Sequence, residues 1–129
     1  MPSLDQALGI HPQAMKLRAY RAQVLAANLA NAETPNYRAR DVDFRSALRD
    51  ADPTTRLAAT RPGHFSDAAP GFGGIDLQYR EPTQASLDQN TVDVAAERAR
   101  FVDNSLRYQA SLRFLDGKLS GIKSALRGE

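Results

Sequence analysis

Apolar residues recur every seventh position in the last third of the chain: Val94, Phe101, Tyr108, Leu115 and Ile122, with Leu112, Leu119 and Leu126 four places after three of them. On a helix these positions form one stripe, so the pattern predicts a long amphipathic helix. Asp93 is placed to cap its start, Glu97 lies in its first turn near the positive end of the dipole, and Lys123 and Arg127 lie near the negative end. A second side, roughly opposite the stripe, carries Ala99, Leu106, Ala110, Gly117, Gly121, Ser124 and Gly128. Glycine inside a helix costs about 1 kcal/mol relative to alanine. Gly117 and Gly121 therefore either meet a closely packed backbone or mark a helix that frays near the chain end.

The N-terminal zone, to about Ala32, also has two apolar faces. Leu8, Met15, Ala22 and Leu29 share one with Ala19 and Ala26, and Ile10, Leu17 and Val24 share another. Pro12 suits the first helical turn, where its missing N–H is harmless, which leaves Met1 to His11 as a lead segment; the helix ends before Pro35. A lone helix on a globule needs only one apolar face. Two on each terminal helix exceed the needs of a chain of 129 residues and point to burial against neighbouring copies or partners. Such helices draw most of their stability from packing and are expected to fold as they dock.

From Glu33 to about Asn90 the pattern changes. Pro53, Pro62, Gly63, Pro70, Gly71, Gly73, Gly74 and Pro82 interrupt any long helix, while Ile75, Leu77 and Tyr79 alternate with polar residues as a short strand does. Turns, one or two short strands and mobility around Ala68 to Gly74 are expected. The predicted fold is mainly α: long N- and C-terminal helices pair as a coiled-coil-like core around an irregular middle segment. Its zones are residues 1–34, 35–90 and 91–129, forming a single structural unit.

Composition narrows the chemistry. Hydrophobic residues make up 42% of the chain with no Trp, which indicates narrow cores of Ala, Leu and Val. The absence of Cys removes disulfides and thiolate chemistry. No basic leader with an apolar run precedes the first helix, and no stretch approaches the roughly 18 apolar residues of a membrane span, so neither a cleaved signal nor a membrane anchor is expected.

No catalytic residue, cofactor or metal ligand set is predicted. The two histidines are His11, which stands beside Pro12 where a helix begins, and His64, which lies in the turn-like Arg61-Pro62-Gly63-His64-Phe65 and is assigned a structural or interface role. Asp41, Asp43, Asp50 and Asp52 stand among Arg38, Arg40, Arg45 and Arg49 and read as exposed ion pairs, worth under about 1 kcal/mol each. Gly71 to Gly74 lacks the Lys and Ser/Thr of a phosphate loop and reads as a linker.

The net charge is +2 and the pI about 9.2. A helical nucleic-acid-binding protein and a membrane-surface adaptor are the alternatives to an assembling subunit. Arginines do not gather on one helix face as the first requires, and Asp103 and Asp116 dilute the charge the second requires.

The most specific segment is Asn28-Leu29-Ala30-Asn31-Ala32-Glu33-Thr34-Pro35-Asn36-Tyr37. Asn28 and Asn31 share a face that continues the Ile10, Leu17, Val24 stripe, placing two amides in an apolar seam. Buried Asn at such a seam fixes register and partner choice at some cost in stability; simple capping of the helix end is the other reading.

This segment resembles the Asn-x-x-Asn-x-x-Thr-Pro-Gly-Tyr signature of the axial proteins of the bacterial flagellum, with Asn36 where Gly is usual, a residue that also tolerates the left-handed conformation. His11 to Ala19, Tyr37 to Phe44, Asp88 to Asp93 and Leu106 to Ser111 are similar to the proximal rod branch of that family, as are the short length and the ending Leu126-Arg127-Gly128-Glu129; Asp50 to Gln78 aligns least well.

The resemblance implies a structural subunit of the basal-body rod, exported through the flagellar type III apparatus without a cleaved signal to the periplasmic part of the rod. It further implies polymerisation of paired terminal helices into the drive shaft. Implied partners are other copies, the other rod proteins, the adapter joining rod to membrane ring, and the export gate, with no nucleic acid and no lipid anchor. The expected assembly residues are Leu8, Met15, Leu17, Val24, Asn28, Leu29, Asn31, Thr34, Pro35 and Tyr37 from the first zone and its turn. Phe101, Tyr108, Leu112, Leu115, Leu119, Ile122 and Leu126 are expected from the last.

Overall fold

The computed structural model describes residues 4–52, 75 and 77–128. Along the chain run α1 (Leu4–Leu8), α2 (His11–Ala30), β1 (Arg40–Val42), α3 (Phe44–Asp50), β2 (Leu77–Tyr79) and α4 (Val94–Arg127). The fold is mainly helical, with long terminal helices and a short antiparallel sheet between them, as the periodicity predicts.

Helix α4 begins where expected: Asp93 is extended and its carboxylate accepts the Ala96 N–H at 3.1 Å. It ends at Gly128, whose φ of 74° is the left-handed conformation that closes many helices. Its 34 residues reach about 51 Å, against about 30 Å for the 20 residues of α2. Pro12 lies in the first turn of α2, as its missing donor favours. Leu8, however, is not in register with α2. The chain turns at Gly9, φ 63°, so the lead segment forms the separate helix α1 and the predicted Leu8–Met15 face is broken.

Strands β1 and β2 pair with Arg40 opposite Tyr79, Asp41 opposite Gln78 and Val42 opposite Leu77. The expected strand around Ile75 to Tyr79 is thus β2. Helix α3 was not expected, although Phe44, Ala47 and Leu48 have helical spacing and Asp43 caps it by accepting the Ser46 N–H at 3.2 Å. The expectations for Ala68 to Gly74, His64 and the Gly71–Gly74 linker lie outside the described residues.

The layers follow from α2, which is covered on two sides. Leu17 and Val24 pack with Val42, and Tyr20, Phe44, Ala47, Leu48, Ile75 and Leu77 close around them. The other side of α2 meets α4, which runs antiparallel: the Asn104 amide donates to the Arg18 carbonyl at 2.9 Å, and the His11 and Phe114 rings stack with centroids 6.1 Å apart. Leu17 and Leu25 are fully buried, and truncating either to Ala is expected to cost about 2–5 kcal/mol.

The C-terminal stripe is divided. Phe101, Tyr108, Leu115 and Ile122 are half-buried, whereas Val94, Leu112, Leu119 and Leu126 are exposed, and Glu97 and Asn104 are buried on the side facing α2. Half-buried and exposed positions alternate along the length of α4; α2 begins opposite Phe114, and α1 also lies against α4. A side-chain carbon added at Gly117 or Gly121 would meet nothing within 4 Å, so among the described residues no backbone packs on that face.

Candidate functional site: a polar clasp at the helix junction

The end of α2 is held by an amide. Asn28 is fully buried; its Nδ2 donates to the Arg40 carbonyl at 2.7 Å and to Glu97 Oε2 at 3.1 Å. Its Oδ1 accepts the Arg40 N–H at 3.1 Å and the Tyr37 hydroxyl at 3.2 Å. One side chain thereby pairs with a residue's backbone as a neighbouring strand would, and ties α2, the following turn, β1 and α4 together. All its hydrogen-bonding capacity on Oδ1 and Nδ2 is used.

The last turn of α2 leaves carbonyls without helical partners. The Asn31 and Ala32 N–H groups meet those of Ala27, Asn28 and Leu29, and Asn90, itself buried, binds the carbonyls just beyond: its Nδ2 donates to Asn31, Ala32 and Thr34, each at 2.9 Å, while its Oδ1 accepts the Val92 N–H at 2.8 Å. Asn31 donates to the Ala27 carbonyl and accepts the Thr34 hydroxyl at 3.1 Å. Asn36 has φ 61°, and its N–H donates to the Asp88 carbonyl at 2.8 Å. The Thr91 N–H donates to the Tyr37 carbonyl at 3.0 Å, and the Thr91 hydroxyl accepts the Ala39 N–H at 2.7 Å. The segment leading into α4 is therefore laced to the turn leaving α2.

A line of alternating charge reinforces this junction. Arg21 of α2 grips both oxygens of Asp41 at 2.8 and 2.9 Å. Asp41 also pairs with Arg80, and Arg80 reaches on to Glu97, which Arg100 meets at 3.0 Å. Burial pushes the Asp41 carboxyl up, but hydrogen bonds from Arg21 and the Val42 N–H, the Arg21 charge and the Arg80 bond outweigh it and hold the group below its ordinary value. The bond to Asp41 in turn raises Arg21. The reading of Asp41 and Asp43 as exposed pairs with nearby arginines is corrected here. Asp41 is bound by Arg21, twenty positions away in sequence, and Asp43 caps α3. Because Asp41 and Glu97 are each held by arginines, the arrangement clamps elements together.

Known proteins share this chain's pattern. A family model described as flagella basal body rod protein matches residues 8–38, the stretch that holds α2 and the Asn28–Tyr37 turn. The flagellar basal body rod protein FlgB of Cereibacter sphaeroides strain ATCC 17029 is 43% identical over 129 residues, covering all of both chains. The chain belongs to the FlgB family of flagellar basal body rod proteins. The FlgB proteins of Aeromonas hydrophila and Escherichia coli K12 are 47% and 46% identical, each alignment covering 98% of this chain and 97% of the relative. The protein is a structural subunit of the flagellar rod, and its relatives carry the names of rod components and not of enzymes.

The residues read from the sequence fall into two groups. Leu17, Val24 and Asn28 are closed inside the subunit, with Asn31 and Tyr37 half-buried in the clasp and Thr34 and Pro35 exposed on its outside. Leu8, Met15 and Leu29 are half-buried, and Leu112, Leu119 and Leu126 are exposed. Of the clasp, sequence reasoning identified Asn28, Asn31 and Tyr37. It did not assign Arg21, Arg80, Asn90 or Asn104 a role, and it gave Glu97 only a place near the helix dipole. A signal was present: Glu97 and Asn104 are seven apart and flank Phe101, two polar residues inside an apolar stripe.

Proposed function

We propose that the subunit polymerises through its terminal helices into the drive shaft that carries motor torque, while the clasp fixes the angle at which those helices leave the folded part. The supporting observation is the uncovered length of α4, where Leu106, Leu112, Phe114, Leu119 and Leu126 are between 40% and 84% exposed. Leu112, Leu119 and Leu126 line up on one side and Leu106 and Phe114 lie toward the other; apolar surface exposed in this way is unfavourable in water and gains about 25 cal/mol per Å² when covered. Different faces on each helix suit the heterologous, open-ended contacts of a helical polymer.

On this reading Leu8, Met15, Leu29 and the stripe from Phe101 to Leu126 form the assembly surface. Leu17, Val24, Asn28, Asn31, Thr34, Pro35 and Tyr37 keep it in shape. The partners are other copies and the other rod proteins, with the adapter to the membrane ring and the export gate at the ends of the path. The place is the periplasmic stretch of the rod, reached through the type III apparatus. No helix among the described residues is long and apolar enough to cross a membrane. A nucleic-acid interface asks for free cations, but Arg21, Arg80 and Arg100 are engaged by Asp41 and Glu97.

The test is Leu119→Asp in a bacterium lacking its own copy. Leu119 is exposed, so the purified variant keeps the parent's melting profile, but no rods form and cells do not swim. Normal swimming would refute assembly through α4.

A further inference from the structure

We propose that Arg18, set between Arg21 and Arg107, is a docking point for a carboxylate side chain of an adjacent rod subunit. The inference rests on the reading that the terminal helices assemble. The Arg18 guanidinium carbon lies 4.1 Å from the centroid of the Phe44 ring, which anchors the group over that ring. Its Nε is shut off from solvent and has no hydrogen-bond partner.

The surrounding arginines differ from it. Arg21 holds Asp41, Arg80 and Arg100 hold Glu97, and Arg107 holds Asp103 at 2.8 Å. Burial, then Arg107 and Arg21, push the Arg18 guanidinium below its ordinary value, and only Asp103, already engaged by Arg107, acts the other way. A positioned, partly desolvated cation among like charges is unfavourable in the lone subunit and is relieved by an incoming anion. The planar fork of Arg matches a carboxylate with two parallel hydrogen bonds.

The surface beside it indicates that the anion arrives on a protein. From Asp103 and Arg107 the same face of α4 continues, in steps of three and four residues, through Ala110 and Phe114 to Gly117 and Gly121. Phe114 is 65% exposed, and the two glycines leave open room for a neighbouring backbone. A partner segment lying on this ground buries it and delivers an acidic side chain at its upper end. A free anion gains nothing from apolar ground.

The test uses full-length Arg18→Gln and Arg18→Glu. Purified Arg18→Gln is expected to melt within a few degrees of the parent, because relief of the repulsion by Arg21 and Arg107 offsets the lost contact with the Phe44 ring. In cells lacking their own copy, its incorporation into rods falls about tenfold or more, the loss expected when a desolvated charge pair is cut at an interface. Arg18→Glu abolishes incorporation, and revertants that replace an acidic residue of a rod subunit with Lys or Arg restore it. A midpoint for Arg18→Gln well below the parent, revertants confined to the Arg18 surroundings of the same subunit, or normal incorporation of Arg18→Glu would each overturn the proposal. If Leu119→Asp blocks assembly while Arg18→Glu does not, this inference alone fails; if both variants swim normally, the assembly reading fails with it.

Discussion

Between Val94 and Asn104, α4 buries two polar side chains, Glu97 and Asn104, each hydrogen-bonded to α2. Between Leu106 and Arg127 no described residue is buried, and Leu106, Phe114 and Leu126 lie more than half exposed. The same helix is thus bound by directional polar contacts at one end and offers non-directional apolar surface at the other. Polar contacts tolerate few alternative alignments, whereas apolar stripes tolerate many. The junction end sets where α4 lies on α2, and the far end is left to supply binding free energy to whatever covers it.

The comparison can be broken most severely at Glu97. Glu97→Ala leaves Arg80 with only Asp41 and deprives Asn28 of an acceptor, and urea unfolding of the purified subunit is expected to show a loss of about 3–5 kcal/mol. A loss under 1 kcal/mol would mean that the junction is not what holds the helices. Asn28→Ala comes next: it strands the Arg40 backbone groups, and about 1–3 kcal/mol should disappear from the same measurement.

Acid sharpens the contrast without a large substitution. The folded Asp41 carboxyl sits below its unfolded value, so its contribution is fully present above about pH 4 and drains away as pH falls through the folded value. Thermal melts of the parent should therefore worsen more on acidification below that point than melts of Asp41→Asn; parallel decline of the two would remove Asp41 from the account. The smallest effect belongs to the far end. Leu119→Ala is expected to leave monomer stability within about 0.5 kcal/mol of the parent, because an exposed surface residue has little to lose.

What the sequence made legible divides along the same line. The stripe from Phe101 to Ile122, the Asp93 cap, Pro12 at the start of α2 and the strand ending at Tyr79 are local patterns, and period and propensity find them. The clasp is written in partners far apart: Asn28 and Glu97 are 69 positions apart, and Asn90 lies 56 to 59 positions from the carbonyls it bonds. No periodicity encodes such pairs. Asp41 was misread for this reason, since four arginines stand close to it in sequence while the one that grips it with both nitrogens is Arg21. Helix α3 was missed because seven residues bracketed by strand and loop give too little of the 3.6 period to stand out.

Asn28 has one more consequence. A two-stranded sheet has two outer rims where another chain can pair, and that is the ordinary route from an isolated hairpin to a fibril. By occupying both the N–H and the carbonyl of Arg40, the Asn28 amide blunts one of those rims with a single side chain. A rod subunit thereby has its sheet closed to growth on that side, which, on the proposed reading, leaves contacts between copies to the helices.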